Sequence, residues 1–245
     1  MAGHQTIGSL SSMGRSWVRS CALIMYIDIH SHQPTTRAGV FRVFNLMAGA
    51  SETPFSAPLD EGLVFSAGVH PWEADSTTTK VWSALENLVI KPEVLMVGEI
   101  GLDKLKGPSQ EVQMAVFKRQ LLLAESVSKP VIIHAVRSSD ALMALKKTTT
   151  GIPAWIIHGF RGGPVEAANW LSHGFFLSFG PDFNPASLLA CPPGLFFLET
   201  DEKGDIVALY EQAALVMGWS LDRLVSVVEA AWAGLFPSAN KKGRW

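Results

Sequence analysis

Eight short apolar runs recur along the chain, with helical patterns filling most of the gaps between them. They are Met25–His30 (MYIDIH), Val40–Leu46, Leu63–His70 (LVFSAGVH), Val94–Glu99 (VLMVGE), Pro130–His134 (PVIIH), Ala154–His158 (AWIIH), Gly174–Ser178 (GFFLS) and Leu195–Asp201 (LFFLETD). Each is rich in β-branched or aromatic residues and is continuous rather than alternating. That is the pattern of a parallel strand covered on both faces.

The helical segments have readable ends. Ser109 is placed to N-cap a helix whose apolar positions Met114, Phe117, Leu121 and Ala124 recur at spacings of three and four. Asp140 opens a short helix ending in Lys146 and Lys147, with Gly151 just beyond. Pro164 suits the first turn of a helix stopped by Gly174, Ile206–Met217 runs up to Gly218, and Ser220 can cap Leu221–Leu235. Strand–helix alternation repeated in this way predicts an α/β fold, a closed (β/α) TIM-like barrel, with an open doubly wound sheet as the alternative. No linker, low-complexity tract or internal repeat divides the chain, and 245 residues suit one barrel domain, residues 25–245. Residues 1–24 carry Arg15, Arg19 and only a short apolar patch, which runs straight into Tyr26–Ile29 with no cleavage site after it. They read as a disordered extension, or as an upstream start with Met25 the natural one.

Composition narrows the possibilities. Hydrophobic residues make up 48% and charged residues 17%, enough for a large core and unlike a disordered chain. A net charge of −2 gives no global basic field for a long duplex, so a nucleic-acid substrate has to be gripped locally. The two cysteines, Cys21 and Cys191, form no CxxC pair; the count excludes a disulfide framework and fits a reducing cytoplasm. No apolar run reaches the ~18 residues of a membrane span, and no obligate protein partner is evident.

The chemistry lies in where the polar residues fall. His30, His70, Glu99, His134, His158 and Asp201 each end a predicted strand. In a barrel those ends converge on one rim, where active sites are built. His30 and His32 form an HxH pair, and residues i and i+2 of a strand point the same way, so both rings can reach one metal ion. Imidazole with carboxylate suits zinc, and also manganese or iron. Any one of these histidines alone is more often structural; six segments delivering such groups to one rim is the informative pattern.

Six motifs, YIDIHSH, AGVHPW, VGEIGLD, PVIIHAVR, IIHGFRGG and LETD, occur in the order found in the TatD-related metal-dependent hydrolases, which the chain resembles from about Met25 onward. The resemblance implies a (β/α) barrel holding two divalent ions (zinc, magnesium or manganese). It implies His30, His32 and Asp201 as ligands of one ion, His134 and His158 of a second, and Glu99 as the bridge. Two cations ~4 Å apart repel, and a shared carboxylate offsets that repulsion. Asp201 would orient an attacking water and accept its proton. His70 resembles a substrate-binding histidine, Arg137 could hold a phosphate with its planar fork, and Asp103 could orient a ligand histidine. Arg161 with Gly162 and Gly163 could form a phosphate-contacting loop.

The chain also departs from the pattern. The stretch between His32 and GVHP is short, so the second strand and its helix look trimmed. Trp72 stands where many relatives have a second histidine, either to stack on a base or to cover the barrel mouth. After LETD comes Glu202-Lys203-Gly204-Asp205 instead of Ala-Pro and a longer loop. The leading expectation is hydrolysis of phosphodiester bonds, with single-stranded DNA as the substrate and Asp201 and Glu99 at the chemistry. The alternatives are hydrolysis of an amide, ester or lactone on the same centre, or a metal-binding barrel without turnover.

Overall fold

The structure is a computed structural model, describing residues 25–35, 37–48 and 62–236. Eight strands, β1 (Tyr26–Ser31), β2 (Val40–Met47), β3 (Leu63–Gly68), β4 (Val94–Asp103), β5 (Val131–Val136), β6 (Trp155–Ile157), β7 (Phe176–Phe179) and β8 (Phe196–Leu198), pair in chain order, all parallel. The helices are α1 (Thr79–Val89), α2 (Gln110–Ser126), α3 (Ser139–Thr148), α4 (Pro164–Ser172), α5 (Pro185–Ala190), α6 (Ile206–Met217) and α7 (Leu221–Leu235), with a 3-10 turn at Pro71–Ser76. All eight expected strands are present. Among the described residues no helix is long and apolar enough to cross a membrane.

Helix ends follow local chemistry. The Ser109 hydroxyl accepts the Val112 N–H, Ser220 accepts the Arg223 N–H, and Gly218 closes α6 at φ 63°, a left-handed angle that glycine adopts without strain. Helix α3 starts one residue before Asp140, which lies in its first turn. Ser138 precedes the helix, but its hydroxyl donates to the Leu102 carbonyl instead of capping. On α2 Phe117, Leu121 and Ala124 are buried as expected, but Met114 is only partly buried and Gln113, 1% exposed, is buried beside them. The second strand is not trimmed. It has eight residues and pairs with both neighbours. Residues 49–61, where its helix would follow, and the N-terminal extension lie outside the described residues.

Closure of the barrel excludes the open sheet. Strands β8 and β1 meet through one bridge, Ser31 with Asp201: Asp201 N–H donates to the His30 carbonyl (3.0 Å) and His32 N–H to the Asp201 carbonyl (2.7 Å). Below it, side chains replace the missing ladder. The fully buried Asp28 carboxylate accepts from the Thr200 N–H (2.9 Å), the Thr200 hydroxyl (2.8 Å) and Arg42 Nε (2.9 Å). Burial pushes this carboxyl up to about 6 despite those donors. Tyr210, from α6, accepts the Ile27 N–H (3.2 Å) and donates to the Ile27 carbonyl (3.1 Å). The seam is therefore a polar splice between the two strands that lead into HxH and Asp201.

Candidate metal centre

The barrel brings His30, His32, His70, Glu99, His134, His158 and Asp201 together at its C-terminal rim, although not all at strand ends. Strand β4 runs on past Glu99 to Asp103, and its pairing with β5 shifts register between Val97 and Ile100. Gly101 makes that approach possible. A Cβ there would lie 2.0 Å from the His134 carbonyl oxygen, a clash that only glycine avoids. The Glu99 backbone is aimed by Asn45 on β2, whose Oδ1 accepts the Glu99 N–H (2.7 Å) and the Ser66 hydroxyl (3.0 Å).

Glu99 stands in the middle and divides its two oxygens. Oε2 lies 3.3 Å from His30 Nε2 and 3.5 Å from His32 Nε2, and both rings also lie 3.7 Å from Asp201 Oδ1. Oε1 lies 2.7 Å from His158 Nε2, 2.9 Å from His134 Nδ1 and 3.1 Å from His70 Nε2. Ligand atoms of His30, His32 and Asp201 all fall within 4.8 Å of one another, as do those of His30, Glu99 and His158. His30 is fully buried, yet neither ring nitrogen has a hydrogen-bond partner. A buried imidazole with no hydrogen bond is costly. A divalent cation between these nitrogens and carboxylates would remove that cost, so the donor set fits a metal.

Two of the histidines are backed by carboxylates. His134 Nε2 lies 3.2 Å from Asp103 Oδ2, leaving Nδ1 to face the cluster. His158 Nδ1 lies 3.3 Å from Glu199 Oε1, leaving Nε2 to face it. A carboxylate on the far nitrogen sets the tautomer and makes the near one a stronger ligand. Asp103 is itself fixed by Trp72 Nε1 (2.7 Å) and the Leu105 N–H (2.8 Å). Burial raises this carboxyl, but the Trp72, Leu105 and His134 bonds outweigh it and hold it below the usual range.

The chain reading missed Glu199. It is the glutamate of LETD, two residues before Asp201, fully buried and also bonded to the Gly159 N–H (2.7 Å). The cluster is strongly polarised. Burial alone would raise Glu99 and Glu199, but the His158 charge holds both below the usual carboxylate range, Glu99 well below it. Burial opposes a charge on His158, but Glu99 and Glu199 carry it well above the usual imidazole range. His32 is raised by its bond to Glu99, against burial. Cations bound here would replace these protons.

His70 differs from the other rim histidines. Its Nδ1 accepts the Trp72 N–H (3.2 Å), so the neutral ring carries its hydrogen on Nε2, which points at Glu99. That tautomer has no free lone pair for a metal and one N–H to offer. Trp72 is not a free stacking platform. Its indole N–H is spent on Asp103, and the Lys106 ammonium sits 3.2 Å over its ring. Arg137 is exposed at φ 51° on the turn after β5 and pairs with no described residue. Arg161 lies in an open cavity of about 180 Å³ beside Glu199 and Asp201, shared with Asp182 and Lys203.

Comparison with known proteins places the chain among relatives. The family model described as TatD related DNase matches residues 47–202, a span that begins after the HxH pair. The chain is 35% identical over 114 residues to the 3'-5' ssDNA/RNA exonuclease TatD of Klebsiella pneumoniae (46% of this chain, 43% of that protein). It is 33% identical over 116 residues to the uncharacterized metal-dependent hydrolase YabD of Bacillus subtilis (46% and 45%). The chain thus matches just under half the length of these curated relatives. Its fold resembles the crystal structure of YJJV, a TatD homolog from Escherichia coli K12, with TM-score 0.76 and 21% identity over 88% of this chain and 98% of that one. It also resembles a TatD family hydrolase from Entamoeba histolytica, with TM-score 0.73 and 16% identity over 87% and 99%. The family model covers well over half of the sequence, and the chain belongs to the TatD related DNase family.

Proposed function

We propose that this chain is a metal-dependent phosphodiesterase acting on single-stranded DNA, with two divalent ions bridged by Glu99. The observation that carries the reading is the division of the Glu99 carboxylate between two sets of ring nitrogens. His30, His32 and Asp201 would hold one ion, and His134 and His158 the other; zinc, manganese and magnesium are the candidates. Divalent cations at such a site polarise a phosphoryl oxygen and acidify water.

The chain's own residues supply the rest. Asp201 is 28% exposed, the open carboxylate of the cluster beside the equally open His32, and its free carboxylate oxygen is placed to orient the attacking water and take its proton. His70 offers its Nε2–H to a non-bridging phosphate oxygen, in keeping with its tautomer. Asp103 and Glu199 keep the far nitrogens of His134 and His158 protonated and their near nitrogens free. Arg137 remains a candidate phosphate contact on the open rim. We place the protein in the cytoplasm, where a thiol such as that of Cys191, buried and unpaired among the described residues, stays reduced.

The test is metal content by elemental analysis of the wild type and Glu99→Ala, with digestion of single-stranded DNA in magnesium, manganese or zinc. Up to two ions in the wild type, fewer in the variant, and matching nuclease activity support the reading. Metal without cleavage of DNA redirects it to an amide, ester or lactone substrate or to a barrel without turnover. No metal under any loading condition sinks it.

A further inference from the structure

The turns after β6, β7 and β8 carry Arg161, Asp182 and Lys203 to the mouth of the cavity beside Asp201. Each turn is anchored. Phe160 N–H donates to the Ser178 carbonyl (2.9 Å) and the Ser187 hydroxyl to the Gly162 carbonyl (2.5 Å), on either side of Arg161. Phe183 N–H closes on the Gly180 carbonyl (3.1 Å) around Asp182, and Lys203 N–H closes on the Thr200 carbonyl (3.1 Å). The backbones are therefore fixed while the three side chains stay exposed, at 64%, 56% and 77% in chain order.

One Asp182 oxygen serves both cations, 3.9 Å from Arg161 Nη2 and 3.9 Å from Lys203 Nζ. Exposed pairs at that distance add almost nothing to a fold. A shared anion between two cations, at the edge of a cavity that runs in to Asp201, is the arrangement a phosphate would displace at little cost. The cavity, about 180 Å³, has room for one backbone phosphate.

We propose that Arg161 and Lys203 seat the phosphate next to the scissile one in a single-stranded nucleic acid, and that Asp182 occupies their charges when no strand is bound. The proposal rests on the phosphodiesterase reading and names where the strand leaves the metal centre. It also accounts for a chain of net charge −2 gripping a polyanion: the grip is a local pair of cations, partly neutralised until use.

The test separates binding from chemistry. Anisotropy of a labelled single-stranded DNA decamer is followed in EDTA across 50 to 200 mM salt, with the full chain and its variants, all checked for unchanged melting. Arg161→Ala and Lys203→Ala should each weaken binding about two- to fivefold, the range of exposed ion contacts. Each should also flatten the slope of log affinity against log salt by about 0.7, the share of one phosphate contact on a single strand. Asp182→Asn should tighten binding, and Arg161→Lys should keep the salt slope. Wild-type affinity and slope in the two alanine variants, weaker binding in Asp182→Asn, or no binding by the wild type would overturn the proposal. Loss of the phosphodiesterase reading would show separately, as absent metal or absent cleavage in the metal-loaded protein.

Discussion

Replacing Thr200 with valine removes one hydroxyl and almost no volume, so it tests the seam without opening a cavity. That hydroxyl donates to Asp28 Oδ2 at 2.8 Å and touches Ser31 Oγ at 2.9 Å, in a site with no solvent. A hydrogen bond to a charged group contributes about 1.5–3 kcal/mol, and a buried acceptor left short of a donor costs an amount of that order. For a chain of this size each kcal/mol moves the melting temperature by about 2–4 °C. Thr200→Val should therefore melt about 3–12 °C lower, by circular dichroism or calorimetry at neutral pH. The backbone bonds of Asp201 to His30 and His32 are untouched by the change, so the variant should still take up metal. A melting temperature within 1 °C of the wild type would show that the Asp28–Thr200 pair does not close the barrel. Loss of metal with no loss of stability would show that Thr200 acts on the site directly.

Three further changes probe other layers. Glu199→Gln removes the carboxylate behind His158 and should lower metal affinity about 10- to 100-fold, read by titration of the metal-free protein; unchanged affinity would make Glu199 a packing residue. Gly101→Ala drives a Cβ to 2.0 Å from the His134 carbonyl, so β4 must move away from β5. Both melting temperature and metal retention should fall, and a variant that keeps both refutes the close approach. Tyr210→Phe strips the Ile27 N–H and carbonyl of their partner, at about 1–3 kcal/mol near neutral pH. Burial raises the Tyr210 phenol in the folded protein, so only the unfolded chain ionises as pH passes about 10. Stability from this group is present below that pH and lost above it. The gap between wild type and Tyr210→Phe should narrow in alkaline urea melts; a constant gap would deny the shift.

The pattern of apolar runs carried the barrel because parallel strands covered on both faces leave a continuous signature, and all eight runs became strands. The helices that escaped notice are α1 and α5 and the 3-10 turn at Pro71–Ser76. Helix α5 has only six residues, too few for a 3.6-residue period to repeat. The rim residues were legible because each follows an apolar run closely, even where the strand continues, as at Glu99, or has already stopped, as at Asp201. Arg137 is the weaker case. Its position three residues after His134 suggested a pocket contact, but the left-handed turn leaves it exposed at the rim.

What lay beyond the sequence is the layer that holds the rim in place, and the reason is physical. Gln113 and Gln120 sit seven residues apart on α2, on the same face as Phe117, Leu121 and Ala124, where periodicity asks for apolar residues. Both are buried because their amides work as backbone clamps. Gln113 accepts the Asp103 N–H and donates to the Asp103, Lys106 and Pro108 carbonyls. Gln120 accepts the Val69 N–H and donates to its carbonyl, just before His70. Asn45, from β2, accepts the Glu99 N–H. Buried amides inside an otherwise apolar stripe were a signal available in the chain, since such groups persist only when every donor and acceptor is matched. Their partners are backbone atoms, which no residue pattern reveals. Gln120→Leu tests the point: it keeps the volume, leaves the Val69 N–H and carbonyl unpaired, and should destabilise the barrel by about 1–3 kcal/mol. Because Val69 precedes His70, the proposed DNA hydrolysis should fall further than metal content does. Equal falls in both would mean that α2 supports the whole rim and not His70 in particular.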